Sequence, residues 1–398
     1  MSKKRFIFQM AAFFCLVLYL LSCNSQKSKE PGTVTIDLSQ LPAKQVDVSK
    51  YIDDVFVVPL ETTPGSLLGQ LSNIDQDDSD IFYVSRENQT IYHFSAGGKF
   101  INSFCRLGKG PGEYLMIRNM QILKGKKSLL ISDPRQMKLI QYSYTGEMIR
   151  EMELPGNAGR FAVLKDGHIA VHCGRMINIF KIDTIKNEMV VIDWDGNIVS
   201  RHFPFDTPLY FEFSSAFMAP NADGSYLYSR QLDFNIYRIK DSGPPELFLK
   251  LDYGAAMSSP KDLEGPTMEN LANFRKAGKI WAIDQATNSF QHLALVNHKD
   301  RKSSLLLIDK ESRNLMAFGT DSLLSLGNYF GMPIKAPFHS YKTHFFSLME
   351  AIDVRQVLQS LTADQKRTLA IKVKGFDRIL DIEENDNPVL VYFSFRDF

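Results

Sequence analysis

DIFYVSRENQTIYHFSAGGKFINSFC, residues Asp80–Cys105, holds three short runs of β-branched and aromatic residues, Ile81–Val84, Ile91–Phe94 and Phe100–Phe104, parted by a polar turn and by Gly97-Gly98. Runs this short, bounded by turn formers, read as strands, so the stretch is an up-and-down antiparallel unit. The plan returns in LLISDPRQMKLIQYSYTGEMIREM (Leu129–Met152), with turns at Asp133-Pro134 and Thr145-Gly146, and again in Ile169–Arg175 and Met189–Val199 around Asp195-Gly196. Gly98, Gly146 and Gly196 are 48 and 50 residues apart. A period of about 40–50 residues with several antiparallel strands per unit marks propeller blades, each of which buries a face only against its neighbours. Further units run from Asn221 to Leu251 and around His292–Val296 and Leu305–Asn314, and the last strand is Pro388–Phe395. A β-sandwich built of similar hairpins would not be expected to hold one period over about 150 residues.

Two insertions break the repeat. Thr267 is placed to cap a short helix running to Lys276, with Gly278 as its stop. Phe345, Leu348, Met349, Ile352, Leu358 and Leu361 recur at three- and four-residue spacing and predict an amphipathic helix packed on the last blade. Thr362-x-x-Gln365 has the form of a capping box that starts another.

The chain opens MSKKRFIFQMAAFFCLVLYLLSC, where Lys3, Lys4 and Arg5 lead into an apolar run that ends at Leu20-Leu21-Ser22-Cys23. The run is shorter than the roughly 20 residues of a membrane span and contains Gln9. The segment resembles the leaders of bacterial lipoprotein precursors, which implies cleavage before Cys23 and its acylation. Residues 1–22 are then a signal peptide, 23–32 (ending NSQKSKEPG) a lipidated tether, and 33–398 one propeller domain. Asn24 is not the aspartate associated with inner-membrane retention, which favours the outer membrane, with the periplasmic or surface face left open.

Composition narrows the function classes. The chain has 46 Lys+Arg and 45 Asp+Glu, and without residues 1–22 the balance is 43 against 45, so no basic footprint for nucleic acid exists. Its 29 Phe, 15 Tyr and 2 Trp favour strands and a packed core. Beyond Cys15 in the leader and Cys23, Cys105 and Cys173 remain; two cysteines make no disulfide framework, and buried free thiols are expected.

Three segments carry a wider likeness. VPLETTPGSLLGQLSNI (Val58–Ile74), GGKFINSF with GKGPGEY (Gly97–Phe104 and Gly108–Tyr114), and EENDNPVLVYF (Glu383–Phe393) resemble, in this order, the TolB-like six-bladed β-propeller family of bacterial lipoproteins. The resemblance implies an all-β, six-bladed propeller with short helical insertions near the C-terminus, closed by strands from both chain ends.

Enzyme motifs are absent: the sequence has no His-Glu-x-x-His, no Gly-x-Ser-x-Gly and no phosphate loop. His168 and His172 would sit about 13 Å apart along a strand, too far to share an ion. His339 and His344 have no carboxylate at ligand spacing. Asp75–Asp80 lacks the glycine and glutamate of a calcium loop and reads as a solvated turn. The most distinctive loop is RLGKGPGEY, Arg106–Tyr114: its glycines permit close backbone approach, and Arg106, Lys109, Glu113 and Tyr114 offer donors, acceptors and an aromatic face for a sugar, peptide or anionic ligand. The same loop resembles the blade-joining turns of NHL-type propellers.

The sequence therefore predicts a ligand- or protein-binding or scaffolding module, held to the membrane through lipid on Cys23, with no cofactor, metal or nucleic-acid partner. Its partner would be a glycan, a peptide or an envelope protein. The rival reading is a glycan- or peptide-directed hydrolase or lyase whose site is assembled at the propeller mouth from scattered blades.

Overall fold

The computed structural model describes residues 32–37, 46–154, 159–174, 186–206, 217–230, 233–257, 285–299, 302–320, 325–336 and 339–398. Cys23, the leader and the helix expected from Thr267 to Lys276 lie outside the described residues. Six blades, each built on four antiparallel strands, follow in order, and among the described residues Val46–Asp47, Ser325–Tyr329 and Met332–Lys335 form a further three-stranded sheet. Blade 1 is Leu71–Gln76, Asp80–Ser85, Ile91–Ser95 and Phe100–Phe104, from channel to rim, so the three strands of the quoted repeat fall where the sequence places them. Blade 2 is Asn119–Leu123, Ser128–Asp133, Lys138–Ser143 and Met148–Glu153; blade 3 is Arg160–Val163, Ile169–His172, Asn187–Ile192 and Ile198–Pro204. Blade 4 is Met218–Pro220, Tyr226–Ser229, Asn235–Ile239 and Glu246–Asp252, with Gly32–Thr35 added at its rim. Blade 5 is Gln285–Asn288, His292–Lys299, Lys302–Asp309 and Leu315–Thr320.

Blade 6 closes the ring. Its first three strands are His339–Tyr341, His344–Met349 and Val389–Phe395, and its rim strand, Ile52–Pro59, comes from the other end of the domain, with the two residues Val373–Lys374 added in parallel at its outer edge. The register pairs Val389 with Pro59 and Val391 with Val57, and all seven residues of Val389–Phe395 are buried. Both chain ends thus supply the closing blade, which hides two edges that would otherwise be open to pairing.

Among the described residues, buried apolar side chains form six clusters, one at each seam between blades. Phe82, Ile117 and Tyr142 fill the seam of blades 1 and 2, and Leu130, Phe161 and Val190 that of blades 2 and 3. Fully burying one such side chain is worth about 1.5–3 kcal/mol, so emptying a single seam would exceed the net stability of a typical domain, about 5–15 kcal/mol.

The C-terminal helices differ in part from the expected stripe. Phe345, Leu348 and Met349 belong to the strand His344–Met349; α1 begins only at Ala351 and runs to Ser360, and α2 spans Ala363–Lys372. This strand is covered on both faces, Phe345 and Met349 packing in one cluster and Phe346 and Leu348 in another, so its apolar run imitated helical spacing. Val354, Leu358 and Leu361 do pack with Val57, Val389 and Val391 of the last blade. The capping box forms: the Gln365 amide donates to Thr362 Oγ1 at 3.2 Å, and the Thr362 amide to Gln365 Oε1 at 2.9 Å. Both cysteines are free, but Cys105 is exposed rather than buried, because it follows a rim strand whose outer edge faces solvent.

Candidate functional site at the mouth of the channel

The six inner strands line a central channel and are stitched to one another by polar side chains. Asp75 Oδ2 accepts from the Ile122 amide at 2.6 Å, Gln121 Oε1 from Val163 at 3.0 Å, and Asn119 Oδ1 from Phe161 at 3.4 Å. On the other side of the ring, Asn288 Nδ2 donates to Pro220 O at 2.8 Å and Ser340 Oγ to Asn288 O at 2.6 Å. These contacts tie neighbouring blades together where side chains are too few for an apolar core.

Because each blade repeats one up-and-down plan, the first residues of the inner strands gather at one mouth. Arg160 opens the inner strand of blade 3, and His339 that of blade 6 on the far side of the ring. Arg118 directly precedes the inner strand of blade 2. Its side chain runs past Gly159, with Cγ and Nε 3.6 and 3.8 Å from where a Cβ would stand. Arg118 of blade 2 therefore reaches the backbone beside Arg160 of blade 3 at this mouth.

Arg160 also faces His172 across the first strand pair of blade 3. His172 is buried, and its Nδ1 lies 2.8 Å from the Tyr228 hydroxyl of blade 4. Burial, reinforced by Arg160, drives this imidazole down to about 3, so it is neutral near pH 7. Burial, then Glu188, raises Tyr228 well above its ordinary value, so the hydroxyl keeps its proton and shares a hydrogen bond with Nδ1. His339 stacks on Phe346 at 5.2 Å between ring centres and is lowered to about 4, first by burial and then by Arg160. The same arginine thus acts on histidines of two opposite blades.

A second polar group occupies the seam of blades 3 and 4. Glu188, fully buried, meets Arg230 Nη2 at 2.7 Å, while Arg230 Nη1 lies 3.4 Å from Asp233 Oδ2. The Tyr237 hydroxyl donates to Asp233 at 2.8 Å, and the guanidinium lies 4.6 Å above the Phe203 ring. Although burial works against its charge, Glu188 and Asp233 hold Arg230 firmly protonated. Of the groups at this seam suited to acid–base work, His172 is neutral and buried, and Glu188 is bound to Arg230.

The loop Arg106–Tyr114 leads from the rim of blade 1 toward Arg118. Arg106 and Lys109 are exposed and Glu113 is half-buried. Tyr114 is fully buried: its hydroxyl donates to Gln89 O at 2.8 Å and accepts from the Arg106 amide at 3.2 Å, so its ring belongs to the seam. Glu113 accepts from the Gly110 amide at 2.8 Å, Arg106 Nε donates to Gly146 O at 3.1 Å, and Tyr142 donates to Gly112 O at 2.6 Å.

Elsewhere, the expected solvated turn Asp75–Asp80 is only partly solvated. Asp75 is half-buried and raised to about 6 by burial, Asp78 pairs with Lys342 and Tyr341, and Asp80 lies 2.6 Å from His93. His168 sits 3.0 Å from Asp166. Arg118 and Arg160 were missed by motif reasoning because no motif contains them, and His339 was weighed only as a metal ligand. Aligning the inner strands blade by blade would have found them, since each stands at or beside a strand's first residue.

No curated protein sequence matches the chain. An exported protein from Bacteroides fragilis has a structure that superposes with a TM-score of 0.72 at 16% identity, covering 92% of this chain and 100% of its own. A member of the duf4221 family from Bacteroides vulgatus gives a TM-score of 0.51 at 10% identity, over 87% of this chain and 97% of its own. These likenesses concern the fold alone. Virginiamycin B lyase from Staphylococcus aureus, with a TM-score of 0.41 at 13% identity over 74% of this chain and 80% of its own, carries no argument about chemistry. The sequence match is of another kind: residues 33–394, nearly the whole propeller, fit the family described as "Domain of unknown function (DUF4934)", and the chain belongs to that family.

Proposed function

We infer that this protein is a lipid-anchored binding module of the cell envelope that takes a carboxylate-bearing ligand, an acidic glycan or peptide, at the mouth of its channel. The observation that carries this reading is Arg160 at the start of an inner strand, close enough to act on His172 of its own blade and His339 of the opposite one, with Arg118 of the adjacent blade reaching the backbone at Gly159 beside it. Guanidinium groups match carboxylates geometrically and stay charged at every physiological pH. Arg106 and Lys109, exposed on the loop that leads to Arg118, form the outer rim of the site, while Tyr114 holds that loop in place. Binding is favoured over hydrolysis or lysis because the nearby His172 and Glu188 are sealed or held.

The address rests on the leader ending at Cys23, which fits the TolB-like lipoprotein propellers that the sequence resembles. The Bacteroides fragilis protein, described as exported, supports an extracytoplasmic position. Asn24 favours the outer membrane. The test is binding of an oligogalacturonate ladder and an oligoglutamate peptide by the native protein and by Arg118→Ala/Arg160→Ala. At least a tenfold loss for one probe, with unchanged circular dichroism and a weaker salt dependence, is expected. Equal binding by the double variant, or none by the native protein, overturns the reading.

A further inference from the structure

His292, Asp309 and Asp397 bring one imidazole and two carboxylates together between blade 5 and the chain that follows the third strand of blade 6. His292 opens the second strand of blade 5 and pairs in register with Asp309, at the end of the third. The imidazole is fully buried, parallel to the Phe398 ring at 5.5 Å and edge-on to Phe395 at 6.3 Å. Neither ring nitrogen has a hydrogen-bond partner among the described residues. Nε2 lies 3.7 Å from Asp309 Oδ2, too far for a hydrogen bond. Asp309 Oδ1 accepts from the amides of Glu311 at 3.0 Å and Ser312 at 2.5 Å, which fixes the carboxylate with Oδ2 toward the ring. Exposed Asp397 completes the group, and the three ligand atoms lie within 4.8 Å of one another.

A buried imidazole with neither nitrogen paired requires an explanation, and a cation between it and the carboxylates would take up the nitrogen that faces Asp309. We propose that His292, Asp309 and Asp397 bind a divalent transition-metal cation through one ring nitrogen and one oxygen of each carboxylate, with water completing the shell. The imidazole disfavours calcium and magnesium, whereas nitrogen with carboxylate oxygen suits zinc and its neighbours. Bonds of about 2.0–2.2 Å place tetrahedral ligands about 3.3–3.6 Å apart, so the site closes by a modest contraction that the exposed Asp397 side chain can supply. The amides that hold Asp309 are the outer support such ligands need. The ion would clip the chain beyond the closing strand to blade 5.

The experiment uses the purified full chain, stripped with chelator and titrated with zinc by calorimetry and thermal melting. One zinc per chain and a rise in Tm are expected. Asp397→Asn, which alters an exposed side chain outside the folding turns, weakens binding at least tenfold and cancels the rise without moving the metal-free Tm; His292→Gln does the same to binding. Anomalous scattering at the zinc edge places the ion beside His292. No stoichiometric binding, an unchanged affinity in Asp397→Asn, or an ion located elsewhere overturns the proposal.

Discussion

Gly98 lies against Pro59: a Cβ added to the glycine would fall onto the Pro59 carbonyl oxygen and stand 3.0 Å from Val58 Cγ1. The Gly98 carbonyl in turn accepts from the Glu61 amide at 2.8 Å. This contact joins blade 1 to the rim strand of blade 6, where the ring closes. Gly146 repeats it one blade on, where an added Cβ would fall onto Phe104 Cγ and stand 2.8 Å from Phe104 Cβ, and Gly196 repeats it more loosely, where it would stand 3.1 Å from Glu153 O. The 48- and 50-residue spacing is thus the spacing of seams, each turn seated on the rim strand of the preceding blade.

Gly98→Ala should therefore cost more than Gly196→Ala. Both glycines have φ near +84°, where alanine is strained by about 1 kcal/mol, but only Gly98 adds a backbone clash that neither partner can relieve by rotating a side chain. The expected losses are about 2–4 and about 1 kcal/mol, read from urea denaturation. Equal losses would show that the seam at Gly98 yields easily.

Asn387 should be the costliest polar residue of the closure. Its Oδ1 accepts from the Leu68 amide at 3.0 Å, and its Nδ2 donates to Glu61 O at 2.8 Å and Ser66 O at 2.6 Å, so one buried amide ties the entry of the last long strand to the loop after the first. Asn387→Ala takes a partner from the Leu68 amide and the Ser66 carbonyl, while Glu61 O keeps the Ser66 hydroxyl at 2.8 Å, and should cost about 2–4 kcal/mol. Asn387→Asp, which keeps the acceptor and loses both donors, should cost nearly as much. A change under about 0.5 kcal/mol, the level of an ordinary surface substitution, would mean that water replaces the side chain.

What the sequence disclosed follows from how locally it is determined. Turn glycines, short apolar runs and the Thr362 box act within a few residues, and each is found in the structure. Phe345–Met349 was misleading because a strand buried on both faces has no alternation to betray it. Tyr114 read as a surface ring because its burial depends on Gln89 in another turn. The meeting of Arg118 with Gly159, or of His292 with Asp397, depends on contacts between distant segments, and no spacing along the chain encodes them.

The acid side of the stability profile should owe much to His172. Its folded pKa, about 3, lies below the ordinary value of 6.5, so between those pH values the unfolded chain binds the proton and the folded one does not. The contribution is whole above pH 6.5 and lost as pH falls toward 3, to a limit of about 4–5 kcal/mol. His172→Gln keeps a hydrogen-bond partner for Tyr228 without titrating and should flatten Tm between pH 6.5 and 4. An unchanged slope would shift the burden to other groups, His339 first among them.

Asp75 should act in the opposite sense. Burial raises its carboxyl from 3.8 to about 6, so the folded state binds the proton more tightly, and its contribution is whole below pH 3.8 and lost as pH rises through 6. Above that pH the charged carboxylate still serves as acceptor for the Ile122 amide, a task that the neutral Gln121 performs for Val163 in the next blade. Charge is therefore not needed for the clasp, and its partial burial is a net cost. Asp75→Asn retains an oxygen for Ile122, gives up the second acceptor that receives the Gln76 amide at 2.9 Å, and removes the charge. The variant should be more stable than the native protein by about 1 kcal/mol at pH 8, the linkage discounted for partial exposure, and no more stable at pH 4. Urea denaturation at both pH values decides it: a loss of equal size at pH 8 and pH 4 would show that the lost hydrogen bond, rather than the charge, governs this position.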